Sequence, residues 1–305
     1  MKVVFVGAVE GSLAGLQGLC EAGLAPDLVV TLPPQLAHRH SDFADLGPLC
    51  TAHGIPIHYT ARSDSDETCA AISALAPDVV LVIGWSQLCN ARFRAIPRLG
   101  CIGFHPSALP RLRGRAVIPW TILLGEREGG ATLFWLAEGA DDGDIALQRL
   151  FALDPEAETA RSLYDKVVAA LRDMLPDLVA RLVAGEVPRR VQDDSLASLC
   201  AKRGPDDGRI DWSAPAHQVL RLIRAAGPPY PGAFTALPGG ETLILTAARL
   251  TPRAGYYVGL PGQVQALEGR TFTVACGDGA CIDVLDWRGA DAPPRLHSHL
   301  SGGSR

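Results

Sequence analysis

Residues 78–83 read Asp-Val-Val-Leu-Val-Ile, with no polar side chain after the first position. A strand with one face in water alternates apolar and polar residues. An unbroken aliphatic run therefore marks a strand covered on both faces. Such a strand needs helices on each side of its sheet, and the neighbouring chain supplies them. Val3–Val6 and Asp27–Thr31 are further short apolar runs, and Ile55–His58 looks extended. Helical patterns fall between these runs, at 9–23, 41–53 and 65–76. Repeated strand–helix alternation predicts an α/β, doubly wound, mostly parallel sheet. Strands near 131–137 and 146–152 extend it, and 158–184 predicts a long amphipathic helix with Leu163, Val167, Leu171, Leu175 and Leu178 on its apolar side.

The pattern changes after residue 188. A polar stretch, 189–207, reads as a linker between a first domain over 1–188 and a second over 208–300. In the second, one helix near 214–225 precedes short strands broken by Tyr230-Pro231-Gly232, Gly239-Gly240 and Gly277-Asp278-Gly279. That punctuation predicts a small β-barrel. Residues 291–305, rich in Pro, Ser and Gly, are expected to fray.

Charge and cysteine usage narrow the function classes. The 305 residues carry a formal charge of −5, and Lys occurs only at Lys2, Lys166 and Lys202. From 206 to 305, nine Arg balance nine Asp plus Glu. Neither part shows the excess of a general nucleic-acid binder, so no nucleic-acid partner is expected. The eight Cys are scattered without CxxC spacing, which predicts no metal site. The start lacks a basic n-region and a long apolar run, so neither a signal peptide nor a membrane span is expected. A cytoplasmic protein with reduced thiols fits this usage. A homodimer stays open.

Loops at the carboxyl ends of inner strands are where such sheets place chemistry. Two follow here: Gly84-Trp85-Ser86-Gln87-Leu88, and the segment from Cys101 through Gly103, His105, Ser107, Arg113 and Gly114 to Arg115. A third segment, Glu138–Ile145, carries Asp141, Asp142, Gly143 and Asp144. Read alone, His105 is a structural histidine and Asp141 an acidic surface turn. Read together, a His beside a carboxylate can hold one tautomer and move a proton. Gly7–Ser12 lacks the full pattern of a phosphate-cradling turn and reads as a tight strand-to-helix turn. His38-Arg39-His40 reads as a solvated loop, with Arg39 a weak candidate for a phosphate contact.

The His105–Gly114 and Glu138–Ile145 segments resemble the folate-dependent formyltransferases, a family that includes methionyl-tRNA and nucleotide-sugar N-formyltransferases. A third likeness runs from Lys202 to Trp212 and from Ile223 to Phe234. The resemblance implies a Rossmann-like first domain, an OB-like barrel, and N10-formyltetrahydrofolate as the formyl donor. It makes His105 and Asp141 the catalytic pair, with no metal. It places the folate at Trp85, Ser86, Gln87, Leu88 and Asp144, and the acceptor at Gly103, Ser107, Arg113 and Arg115. The Arg113–Ala116 segment and Trp120 are most similar to the sugar enzymes. The expected acceptor is therefore the amine of a nucleotide-linked amino sugar. Methionyl-tRNA, a hydroxylated ornithine, and plain hydrolysis of formyltetrahydrofolate are the alternatives. One departure stands out. The family's Asn, two residues before the His, is Gly103 here. An oxyanion donor of that kind contributes about 10²–10³ in rate where measured.

Overall fold

The structure is a computed structural model and describes residues 1–301. Two compact units emerge. One comprises Met1–Val117, Glu128–Ala152 and Tyr164–Cys200. The other comprises Ile118–Arg127, Leu153–Leu163 and the chain from Ala201 onward.

The chain runs β1 (Val3–Val6), α1 (Glu10–Glu21), β2 (Leu28–Thr31), α2 (Gly47–His53), β3 (Ile57–Tyr59), α3 (Asp66–Ala74), β4 (Val79–Val82) and α4 (Ala91–Arg94). It continues through β5 (Gly100–His105), β6 (Arg113–Gly114), α5 (Val117–Leu124), β7 (Glu128–Trp135), β8 (Ile145–Ala152), α6 (Ala160–Val183) and β9 (Leu199–Cys200). Seven strands form one sheet in the order β3-β2-β1-β4-β5-β7-β8. The first five are parallel, and β7 and β8 join antiparallel. The direction of winding reverses between β1 and β4, which puts the switch point there.

Period-two alternation divides the core into two layers. Val3, Phe5, Val79 and Leu81 face Leu16 and Leu19 of α1 and Leu171, Leu175 and Leu178 of α6. Val4, Val6, Val80 and Val82 face Cys69 and Ile72 of α3 and Phe93 of α4. The unbroken aliphatic run at β4 thus serves both layers at once.

One local expectation is corrected. The helix expected over 41–53 begins only at Gly47; Pro34–Arg39 forms a separate 3-10 turn. Phe43 instead bridges to Val9, and Asp42 is tied to the Tyr164 hydroxyl at 2.6 Å. These contacts hold the backbone out of helix until Pro48, which suits a first turn. Within the stretch expected to link domains, the first part is built into the first unit: Leu199–Cys200 pairs in parallel with Arg113–Gly114.

The second unit holds α7 (Ala216–Ala226), then β10 (Ala233–Ala236), β11 (Thr242–Leu250), β12 (Val264–Glu268), β13 (Thr271–Ala275) and β14 (Cys281–Arg288). The strands make an antiparallel sheet, order β10-β11-β14-β13-β12. Ala216, Val219, Leu220, Ile223 and Ala226 recur at helical spacing and pack on Leu243, Leu245, Phe272, Val284 and Trp287. The fraying expected over 291–305 is absent up to Ser301, and 302–305 lie outside the described residues. Val264 and Ser298, Leu300 and Gly262, and Ser301 and Ala236 are hydrogen-bonded, and Leu300 is buried. Backbone pairing, not composition, decides order there.

Leu81 is fully buried between layers. Leu81→Ala should lower stability by about 2–5 kcal/mol through lost burial and a residual cavity. A urea midpoint unchanged from wild type would contradict this packing.

Candidate functional site

His105 ends β5, paired with Thr132 on one side. On the other side β5 runs parallel to β4, and extending the Val82–Gly103 register puts Gly84 level with His105. The two loops singled out in the sequence therefore leave neighbouring strand ends, as expected.

His105 is buried, 5% exposed. Its Nε2 lies 2.6 Å from the Leu112 carbonyl oxygen. A carbonyl only accepts, so Nε2 carries the proton and the tautomer is set. Nδ1 then faces Asp141 Oδ2 at 3.5 Å. The expected pair is brought together. The ring is closed off from solvent, and Asp141, with its side chain 22% exposed, is the outward member.

Asp141 is held from several directions. Its Oδ2 accepts from the Gly114 N–H at 2.8 Å, which links the acidic turn to the loop after His105. Its backbone is left-handed, φ 56°. Asp tolerates that region better than most residues, but a cost of about 1 kcal/mol or more remains. Two positions on, a Cβ at Gly143 would meet the Trp135 carbonyl oxygen at 1.8 Å, so only glycine fits the turn. The Asp144 carbonyl accepts from Trp135 N–H at 2.8 Å, and its carboxylate lies 3.9 Å from Arg189.

The residue that sequence reasoning missed is Gln192. It is 7% exposed and uses its whole amide. Nε2 donates to the carbonyls of Asp141 (2.8 Å) and Gly143 (2.7 Å). Oε1 accepts from Arg113 Nε (3.1 Å) and Nη2 (2.9 Å). A single Gln inside a polar stretch carries no mark of burial, so the sequence offered no signal for it.

Other expected residues divide. Arg113 is mostly buried, and its guanidinium is occupied by Gln192 and by Asp194 at 2.7 Å. Its Nε and Nη2 are engaged by these two side chains. Arg115 is exposed; its backbone N–H donates to the Cys200 carbonyl. Ser107 is buried and donates to the Arg111 carbonyl at 2.8 Å. Trp120 lies in the second unit, where its indole donates to the Ala201 carbonyl at 2.9 Å.

The loop after β4 is braced. Gln87 donates to the Ala61 carbonyl at 2.8 Å, and Ser86 Oγ sits 3.4 Å from His40 Nδ1. Burial lowers the His40 pKa, with Asp42 opposing and Arg39 adding to the effect. Arg39 itself donates to the Ala61 carbonyl at 3.3 Å. Trp85 Nε1 is buried and has no partner among the described residues, and Leu88 is 86% exposed. The Gly7–Ser12 turn is structural, as expected: the Ala8 and Val9 N–H groups donate to Ser12 Oγ, which donates to the Ile83 carbonyl. Among the described residues no group of three or more His, Cys, Asp or Glu is arranged to hold a metal.

Gly103 has a physical explanation. A Cβ there would meet Leu136 Cδ2 at 2.6 Å and the Phe134 ring at 3.1 Å. The space an Asn would need is filled by apolar side chains. Gly103→Asn should cost about 1–3 kcal/mol through overpacking. Leu136→Ala in the same chain should return part of that loss. A double-mutant cycle of unfolding free energies checks this, and additive effects would count against the steric account.

Comparison with known proteins agrees with this arrangement. Residues 20–179 match the formyl transferase family model, and 203–291 match that of the formyl transferase C-terminal domain. A methionyl-tRNA formyltransferase of Symbiobacterium thermophilum is 35% identical over 92% of this chain and 86% of its own. One from Anaeromyxobacter dehalogenans is 33% identical over 100% of this chain and 97% of its own. Among solved structures, the N-formyltransferase from Helicobacter canadensis in complex with folinic acid and dTDP-3-aminofucose superposes with a TM-score of 0.67. It shares 16% identity, over 93% of this chain and 98% of that one. A methionyl-tRNA formyltransferase from Clostridium thermocellum gives 0.60 at 18% identity, over 83% and 95%. The likeness to the sugar enzyme is one of fold alone. The expected nucleotide-sugar acceptor, and with it the expectation of no nucleic-acid partner, is therefore corrected by the full-length relatives. The charge argument failed because totals say nothing of where charges cluster. The Arg113 cue failed because that side chain is already paired. No helix among the described residues is long and apolar enough to cross a membrane. With its two halves matched in order and relatives above 30% identity along its whole length, the chain belongs to the formyl transferase family.

Proposed function

We propose that the chain transfers the formyl group of N10-formyltetrahydrofolate to the amine of methionyl-tRNA. The observation that carries the reading is 33% identity along 100% of the chain to a protein of that name. The formyl carbon, the electrophile of the reaction, comes from the folate. The residues after β4 suit a flat heterocycle. Trp85 offers a buried indole N–H without an acceptor, and Leu88 an exposed apolar edge. Ser86 and Gln87 fix the loop, and Asp144 is positioned by Trp135 and Arg189.

On this reading, His105 and Asp141 act as a unit. Nε2–H is committed to the Leu112 carbonyl, which leaves Nδ1 to take the proton lost by the attacking amine and to return it to the folate nitrogen as that nitrogen's bond to the formyl carbon breaks. Asp141 Oδ2 stabilises the imidazolium that forms and presents the pair outward. Ser107 and Gly103 supply acceptor-pocket backbone; the Ser107 hydroxyl is engaged with Arg111, so it does not stand in for the family's Asn. Arg115, exposed beside the loop, is the anion contact of the set. Arg113 acts through Gln192.

The division we propose is a catalytic domain over 1–188, a joining segment 189–207 and a second domain over 208–300. The bridges of Gln263 to His299 and of Ala236 to Ser301 support an OB-like closure of the second sheet, since they join its two edges through one segment. Eight free thiols support a cytoplasmic setting.

The test is formation of formyl-methionyl-tRNA from N10-formyltetrahydrofolate by the full chain. Tetrahydrofolate release that ignores the charged tRNA would reject the transferase reading in favour of hydrolysis. His105→Ala should lower kcat by about 10²–10⁴, the scale of a positioned proton-transfer group. Gln192→Leu should lower kcat by up to about 10², because misplacing a reacting group by an ångström costs that much. KM for methionyl-tRNA should move far less. A Gln192→Leu enzyme with wild-type kcat would remove the clamp from the mechanism.

A further inference from the structure

Leu199 is 74% exposed, yet its backbone is held as firmly as the loop that follows His105. It opens β9, which pairs in parallel with β6 so that Leu199 lies opposite Arg113 and Cys200 opposite Gly114. Further hydrogen bonds fasten the same place. The Arg113 N–H donates to the Ser198 carbonyl at 2.8 Å, and the Arg115 N–H to the Cys200 carbonyl at 3.2 Å. The Leu112 N–H donates to the Ser198 hydroxyl at 2.9 Å. A lone leucine in water is ordinary on a protein surface. One held rigidly beside a reacting pair is a ready contact for a substrate.

Gly114 ties Leu199 to that pair. A Cβ at Gly114 would meet Leu199 Cδ1 at 2.9 Å, so the leucine side chain lies directly against the glycine. The N–H of the same glycine donates to Asp141 Oδ2 at 2.8 Å. Across one residue's backbone, these two contacts put the Leu199 methyl within about 8 Å of the Asp141 carboxylate. Asp141 Oδ2 is in turn 3.5 Å from His105 Nδ1, the atom to which the proposed mechanism brings the amine. A long side chain on the carbon bearing that amine spans the gap. The polar side chains beside the pair are engaged within the protein: the Ser107 hydroxyl with Arg111, both ends of the Gln192 amide, and Arg113 Nε and Nη2. A polar substrate side chain entering here leaves water without gaining a partner, whereas an apolar one exchanges water for Leu199.

We propose that Leu199 determines which amino acid is formylated, by contacting the side chain of the acceptor's aminoacyl group and selecting a long apolar one. The proposal rests on the aminoacyl acceptor assigned above and adds the group that reads its side chain.

The experiment measures kcat/KM of the full chain, with N10-formyltetrahydrofolate as donor, for initiator tRNA charged with methionine and for the same tRNA charged with glutamine, a polar side chain of similar length. Wild type is compared with Leu199→Ala and Leu199→Met. Leu199 is exposed, so neither substitution opens a cavity in the core. Apolar contacts of this size carry discrimination of about 10–200-fold, so Leu199→Ala is expected to lower kcat/KM for the methionyl acceptor at least about tenfold. The glutaminyl acceptor should lose far less, Leu199→Met should keep the preference for methionine, and KM for N10-formyltetrahydrofolate should not move. An equal loss with both acceptors, or a preference unchanged in Leu199→Ala, overturns the proposal and leaves the methionyl-tRNA reading in place. Formylation of neither acceptor by the wild-type chain overturns that reading, and this proposal with it.

Discussion

The Asp141 carboxylate can meet His105 only because its backbone sits in the left-handed region, and something must hold it there. The two bonds from Gln192 to the carbonyls of Asp141 and Gly143 do so. Each contributes about 0.5–1.5 kcal/mol net. Together they offset strain of about 1–3 kcal/mol. The same amide takes up Arg113, and Gly114 N–H binds Asp141 directly. Three stretches far apart in sequence thereby become one object. The exposed Arg113–Asp194 contact adds little, since Asp194 is largely in water.

That object rests on a rigid base. β5 is an inner strand of the large sheet, flanked by β4 and β7. His105 is its last residue, so the ring inherits the order of the two packed layers. The loop from Pro106 to Arg115 then returns to place Leu112 over Nε2. The Nε2 proton is thus committed, and the ring's orientation fixed, before any substrate arrives, which is what preorganisation requires.

Much of this is legible in the amino-acid pattern. The aliphatic run at 78–83 predicts an inner strand, and β4 is one. The alternation of runs and amphipathic stretches predicts the winding, because burial on both faces leaves a period-two or period-3.6 trace. His105 and Asp141 are legible because a strand-end His and an acidic turn occur in segments of known type. Gln192 is not, since its burial depends on what folds around it. The pairing of Leu199–Cys200 with Arg113–Gly114 is not, since two-residue strands leave no periodicity. The acceptor is not legible from charge totals, because a sum over residues says nothing of where the charges sit.

Gly103 has an evolutionary consequence. In this chain Leu136 and Phe134 occupy the volume beside it. An Asn arriving first finds no room. A smaller residue arriving first at Leu136 leaves a void and gains nothing. The two substitutions are therefore coupled, and their effects are expected not to add. With hydrocarbon in this space, the amide can enter only if Leu136 gives way with it.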